Sequence, residues 1–304
     1  MSKAPVILFV YNRPEHTRRT LTSLKQNKSS EETVLYIFAD GPSRPADQDL
    51  QEKIRQTREV IREEKWCAVV HISESTVNKG LSASIVTGVN EVIAKHGRAI
   101  ILEDDHVTSP YFLQFMNDAL ELYKERTEVA CISAYIYPVK GRLPETFFLK
   151  GADCWGWATW ADRWKLYEPD GAKLLKELTD KGLRSAFDFD NSYPYTAMLE
   201  DQIAGKNDSW AIRWYAAAFL QNRYCLYPGL SLVRNIGTDG SGIHSGISES
   251  HHGEMAPAPV KVELLSPIAD HAQAREVVKK YFRSLGKLPF QQRTKQWLKK
   301  LLNR

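Results

Sequence analysis

Three consecutive acids, Glu103-Asp104-Asp105, follow directly on the apolar run Ile100-Ile101-Leu102. Three carboxylates at one strand end concentrate negative charge, which is costly unless it is solvated or bound to a cation. All-oxygen donors suit Mg²⁺ or Mn²⁺, and a single carboxylate plus substrate phosphates is a frequent Mg²⁺ arrangement. The bland alternative is a solvated turn ahead of a Ser109-Pro110 helix start. Two more polar groups end apolar runs: Arg13 in Tyr11-Asn12-Arg13-Pro14 and Asp40 in Phe38-Ala39-Asp40-Gly41-Pro42. Arg13 suits a phosphate; as a plain cation at a helix N-terminus it gains nothing from the dipole. Asp40 suits hydrogen bonding to a base, or simple Asp-Gly-Pro turn chemistry. Asn78-Lys79-Gly80-Leu81-Ser82 opens a helix-like stretch. Asn78 would be its N-cap, and the same helix start could hold an anion or a sugar hydroxyl.

A general base has two candidates. Asn207-Asp208-Ser209-Trp210 precedes an apolar helix, and Glu200-Asp201 lies just upstream. Asp208 also reads as an N-cap, and a capping carboxylate has a lowered pKa that makes a poor base unless burial opposes the shift. Spacing does not choose between Asp208 and Asp201. Trp155, Trp157 and Trp160 could stack on sugar faces or pack into a core.

These residues need elements to hold them. Residues 6–10, 34–39, 68–72 and 99–102 read as buried parallel strands. Residues 15–26, 47–64 and 79–95 between them read as helices. Leu81, Ile85, Val89 and Ile93 recur every four residues, one apolar face of a helix. The β-α-β-α-β-α-β order predicts a parallel sheet covered on both faces, with ligands bound beyond the carboxyl ends of its strands. A helix over 111–124 and a strand over 130–134 follow. From about Phe147 aromatics become dense, including Trp164, Tyr193, Tyr195, Trp214 and Tyr215, as expected for a segment that extends the sheet and builds a second pocket. Residues 237–246 hold four glycines, a loop signal. Residues 247–274 read as a wrap or linker.

Composition bounds the classes. The chain has 304 residues, 43% hydrophobic and 26% charged, which excludes a disordered chain, a collagen and a membrane bundle. No run of 18 apolar residues exists, and the N-terminus shows no signal-peptide core. Cys67, Cys131, Cys154 and Cys225 form no metal pattern and read as reduced thiols of a cytoplasmic protein. Residues 275–304 carry ten Lys/Arg and one acid, a net +9, so the body is at −5 within the overall +4. That is not the footprint of a nucleic-acid binder. Phe290, Trp297, Leu298, Leu301 and Leu302 can share a helical face ringed by Arg293, Lys299, Lys300 and Arg304, which reads as an element for an anionic membrane surface.

In their order along the chain, these pieces resemble a GT-A nucleotide-sugar glycosyltransferase. Val6 to Pro14, Ala39-Asp40-Gly41 and Asn78-Lys79-Gly80-Leu81-Ser82 resemble the donor half of family 2 glycosyltransferases, with Glu103-Asp104-Asp105 at the position of their DxD-type metal motif. A closer resemblance is to the inverting animal N-acetylglucosaminyltransferase I family, which starts complex N-glycan branching. It lies in the succession Glu103-Asp104-Asp105, Ser109-Pro110-Tyr111-Phe112, Cys131-Ile132-Ser133-Ala134, Cys154-Trp155-Gly156-Trp157, Asp208-Ser209-Trp210 and a Gly/Ser/His loop, and covers residues 5–246.

The resemblance implies an α/β fold of GT-A type: a mainly parallel, Rossmann-like sheet flanked by helices, with an acceptor-side extension. Residues 1–135 would be the donor half and 136–246 the acceptor and catalytic half. Residues 247–274 would be a linker or wrap, and 275–304 a basic amphipathic tail. The implied activity is metal-dependent inverting transfer from a nucleotide sugar, UDP-linked as in UDP-GlcNAc, to a hydroxyl of a surface glycan such as lipopolysaccharide, or of a lipid-linked glycan. Asp105 would hold Mn²⁺ or Mg²⁺. Arg13 would meet phosphate and Asp40 uridine, with Asn78 and Lys79 beside them. Glu103 and Asp104 would touch ribose or the donor sugar. His244, in the glycine loop, would touch the pyrophosphate or metal. The base falls on Asp208 when the tryptophans align at Trp210, but Ser209 stands where the family has a second Asp, which keeps Asp201 open. Trp155, Trp157 and Trp210 would meet the acceptor. The expected location is the cytoplasm, at the inner face of a membrane. The competing classes are a nucleotidyltransferase that makes nucleotide sugars and a non-catalytic carbohydrate-binding protein. A dinucleotide-binding dehydrogenase lacks its G-x-G-x-x-G after the first strand.

Overall fold

The computed structural model describes residues 3–43, 47–239 and 253–285. Its first third alternates as predicted: β1 (Val6–Val10), α1 (Pro14–Lys25), β2 (Val34–Ala39), α2 (Gln48–Val60), β3 (Val69–Glu74), α3 (Leu81–His96) and β4 (Arg98–Glu103). The chain continues through β5 (His106–Thr108), α4 (Phe112–Leu122), β6 (Val129–Ser133), β7 (Thr146–Lys150) and β8 (Trp157–Trp160). Then come α5 (Ala161–Trp164), α6 (Gly171–Asp180), α7 (Arg184–Phe187), α8 (Tyr195–Ile203) and α9 (Trp210–Leu220). β9 (Tyr224–Pro228), β10 (Val233–Asn235) and α10 (Ala272–Leu285) complete it.

One eight-stranded sheet runs in the order β3-β2-β1-β4-β8-β6-β9-β7. β3, β2, β1 and β4 are parallel, β8 pairs antiparallel with both β4 and β6, and β7 pairs antiparallel with β9. All five residues of β1 are buried, so only an interior position suits it. Its side chains alternate between two cores. Ile7 and Phe9 join α3 and α9 on one face; Val6, Leu8 and Val10 join α1 and α4 on the other. Gly88 lets α3 lie close, since a Cβ there would come within 2.8 Å of the Phe9 ring.

The sheet order reverses between β1 and β4, the switch point of this α/β sheet. The crevice beyond their carboxyl ends is where such sheets bind ligands. Arg13 follows one of these strands and Glu103-Asp104-Asp105 ends the other. The β5–β10 ribbon is a separate two-stranded sheet that registers Asn235 opposite His106, directly after the acids.

Residues 253–271 run along the body. Tyr123 Oη donates to the Glu263 carbonyl at 2.6 Å, and Asp270 accepts from Lys150 N–H at 2.6 Å. α10 then docks through buried Ala274, Val278 and Phe282, and its Arg275 and Lys279 both pair with Asp190. Two of the four cations of this helix, Arg275 and Lys279, therefore face the protein's own acids, while Lys280 and Arg283 are exposed. The membrane-facing residues expected from the sequence, Phe290 to Arg304, lie outside the described residues, as does His244. Among the described residues no helix is long and apolar enough to cross a membrane. All four cysteines are free, and three are buried.

Candidate active site

The acidic turn is built before any ligand arrives. Thr20 Oγ1 donates to the Asp104 carbonyl at 2.8 Å, and Glu103 N–H donates to His106 Nδ1 at 3.1 Å. With Nδ1 accepting, the proton of neutral His106 sits on Nε2, 3.5 Å from Asp105 Oδ1. Burial holds the imidazole below its usual pKa and keeps it neutral.

Arg13 closes this turn from the neighbouring strand. Its guanidinium grips Asp104 with two hydrogen bonds, one from Nε at 3.2 Å, and reaches Asp105 Oδ2 from Nη2 at 2.9 Å. Burial opposes its charge, but the two carboxylates outweigh burial and raise its pKa further. Glu103 is left out of this pairing. Burial, then the charges of Asp105 and Asp104, push its carboxyl up to about 8, with Arg13 opposing. β10 fastens over the same turn. Ile236 N–H donates to the Asp105 carbonyl at 2.8 Å, and Gly237 lies so close that a Cβ there would collide with Asp105 Oδ2.

Two cavities flank Glu103. The first, about 430 Å³, opens at the carboxyl ends of β1 and β4 and is lined by Arg13, Asp40, Asn78, Glu103, Asp104, Asp105, Asn235 and Thr238 among others. The second, about 450 Å³, lies in the aromatic half, among Tyr137, Asp153, Tyr193, Tyr195, Trp210 and Phe282. Both volumes are in the range of small-ligand sites. Leu81, Glu103, Trp155 and Asp208 line both, so the two cavities share a wall.

Several expectations are corrected here. Asn78 does not cap α3. The N-cap position is Gly80 at φ 78°, and Asn78 Nδ2 instead donates to the Gly41 carbonyl at 3.0 Å. Asp40 instead binds the loop ahead of the helix, its carboxylate accepting from the N–H groups of Gly41, Lys79 and Gly80 at 2.8 to 3.0 Å. That is turn chemistry, although Asp40 still lines the first cavity. Lys79 contributes its backbone to that turn and lines neither cavity. Asp208 does not cap α9 either. Ser209 does, accepting from Ile212 N–H at 3.2 Å, which leaves the Asp208 carboxylate on the shared wall with Arg213 Nη2 3.2 Å away. Asp201 pairs with Lys206 at 2.7 Å and lines neither cavity. Leu81, expected on the apolar face of α3, is 41% exposed, because the first turn of the helix overhangs both cavities.

The tryptophans separate. Trp155 is half-buried on the shared wall. Trp157 is 1% exposed, inside a cluster with Trp164, Trp210 and Trp214, and lines neither cavity. In a regular strand, residues two apart share a face. Gly156 between them has φ 60°, which turns the chain and breaks that alternation. Trp210 is 3% exposed, stacks on Trp157 at 5.3 Å and is among the lining residues of the second cavity. Sequence reading passed over Asp153, Tyr137 and Phe282. The aromatic stretch from about Phe147 surrounds Asp153 in sequence, whereas Tyr137 precedes it and Phe282 lies in the basic tail.

A divalent cation would find oxygen donors here of the right kind, since Asp105 and Glu103 both line the first cavity. The protein offers few of them. Arg13 takes both oxygens of Asp104 but only Oδ2 of Asp105, and among the described residues no group of three His, Cys, Asp or Glu side chains is placed to hold a metal. The fit is therefore one carboxylate, with ligand phosphates completing the shell.

The family model described as glycosyl transferase family 2 matches residues 6–164. No curated protein matches the chain. Among solved structures, S. aureus TarS 1-349 is similar at 17% identity and TM-score 0.34, over 50% of this chain and 41% of that one. UDP-glucose pyrophosphorylase complexed with UDP-glucose is similar at 11% identity and TM-score 0.37, over 75% and 91%. Mannosyltransferase PcManGT from Pyrobaculum calidifontis, in complex with GDP-Man and Mn2+, is similar at 10% identity and TM-score 0.34, over 72% and 69%. These structural likenesses are remote, and the family assignment rests on the family model.

Proposed function

The chain belongs to glycosyl transferase family 2, and from that premise we propose a metal-dependent inverting transferase with its nucleotide-sugar donor in the first cavity and its acceptor in the second. The observation that carries this reading is the shared wall. Asp208 lines both cavities, where an acceptor hydroxyl would meet an anomeric carbon. The acceptor oxygen attacks that carbon in a single displacement, and its proton passes to Asp208. The bond to the nucleoside diphosphate breaks, and the electron pair leaves with the phosphate oxygen. Ser209 takes the capping role, and Asp208, beside Arg213, is the acid of the two candidates that lines the cavities. Arg13 offsets the charge of Asp104 and Asp105, so that a diphosphate does not meet three bare carboxylates. Asp105 would hold the Mn²⁺ or Mg²⁺, which when bound neutralises charge growing on the leaving group.

The donor proposed is UDP-linked, such as UDP-GlcNAc, and the acceptor a hydroxyl of a surface glycan. The test is incubation of the full chain with UDP-GlcNAc, Mn²⁺ and a glycan acceptor panel, following UDP release and product configuration by NMR. Acceptor-dependent UDP release with a β-linked product from the α-linked donor supports the reading. An α-linked product refutes the single displacement.

A further inference from the structure

We propose that the second cavity selects an acceptor sugar that carries no anionic group, and that α10 helps to shape it; this rests on the reading of that cavity as the acceptor site. Three carboxyl groups line it, Glu103, Asp153 and Asp208, and no Lys, Arg or His is among its described lining residues. Asp153 is fixed in place: Oδ1 accepts the N–H groups of Cys154 and Trp155 at 2.7 and 3.1 Å, and Oδ2 accepts from Tyr227 Oη at 3.2 Å. A uronate or phosphate entering here would lose its water and meet acids, while the neighbouring Arg213 is already engaged by Asp208, Ser82 and the Ser209 and Pro169 carbonyls.

The remaining walls favour the apolar face of a neutral ring. Tyr193 and Tyr195 lie 4.6 Å apart, and the Tyr195 and Tyr137 hydroxyls are 3.4 Å apart. Amphipathic rings of this sort give a sugar both a stacking surface and hydroxyl partners. The final wall comes from the C-terminal helix. Phe282 of α10 is 4.8 Å from both Tyr137 and Tyr193, centroid to centroid. The neighbouring cations of α10 do not undo the selectivity. Arg275 lies over the Phe189 ring, Lys279 is held by Asp190 and Glu276, and Lys280 and Arg283 are exposed and off the cavity lining. The first cavity differs in having a cation on its wall, Arg13, held between Asp104 and Asp105.

The test uses the full chain and matched pairs of methyl glycosides: glucoside with glucuronide, and galactoside with galacturonide. Each is titrated at millimolar concentration by ligand-observed NMR, with UDP binding measured separately by calorimetry. Binding of the neutral member of a pair, with at least about tenfold weaker binding of its uronate, is the expected result. Tyr193→Ala and Phe282→Leu should each weaken the neutral glycoside about tenfold and leave UDP affinity unchanged. Equal or tighter binding of uronates overturns the inference, as does binding of no glycoside by a protein that binds UDP. Failure to bind any nucleotide would instead count against the donor reading of the first cavity.

Discussion

The two cavities share a wall but are built by different means. The first is made of strand ends: Arg13 after β1, Asp40 after β2, and the acids after β4 are brought together by parallel pairing alone. Short local motifs suffice for that, because a sheet's switch point places its ligand crevice wherever the strands end. The second is made of side chains from β8's approach, α8, α9 and α10, with Tyr137 and Phe282 meeting across 145 positions of sequence. Nothing local encodes such a meeting. The lesson is that a charged, strand-end site is written in motifs, whereas an aromatic pocket is written in tertiary packing.

The comparison predicts its own breaking points. The largest effect is expected at the junction. Asp208→Asn should lower turnover by roughly 10²- to 10⁴-fold, the usual scale of general-base catalysis, while calorimetry shows nucleotide affinity intact. Unchanged turnover would move the base elsewhere. Next comes the contrast between the paired tryptophans. Trp157→Ala should destabilise the fold by about 3–5 kcal/mol in denaturant unfolding, without selective loss at either cavity. Trp155→Ala should cost little stability but weaken nucleotide and glycoside binding alike. If the two variants behave in the same way, the assignment of Trp155 to a shared wall is wrong.

The smallest effect concerns Glu103. A carboxyl raised from 4.5 to about 8 in the folded state holds a proton that the unfolded chain has released. Between those pH values the native state binds more protons, so stability falls as pH rises. Thermal melts in the presence of a chelator should show Tm decreasing from about pH 5 to 8. Glu103→Gln should flatten that slope, and an unchanged slope would assign it to other groups.

Much of the donor side was legible in the sequence. The limits of β1 and β2 coincide with the apolar runs, and Glu103-Asp104-Asp105 stands at the predicted strand end. What could not be read were choices between adjacent equivalents. Asp208 and Ser209 are both good caps, and only the backbone decides that Ser209 takes the role. Trp155 and Trp157 look interchangeable until Gly156 turns the chain between them. Asp40 lies far in sequence from Lys79 and Gly80, so its capture of their N–H groups needed the folded chain. Phe282 read as part of a basic tail, because charge was visible locally and its packing partners were not.

The central claim is that the strand-end cavity takes a nucleotide sugar. Calorimetric titration of the full chain with UDP-, GDP- and CMP-sugars, each with Mn²⁺ and with chelator, tests it most directly. UDP-sugars alone are expected to bind, and only with metal present. Absence of binding by every nucleotide sugar under both conditions would contradict it.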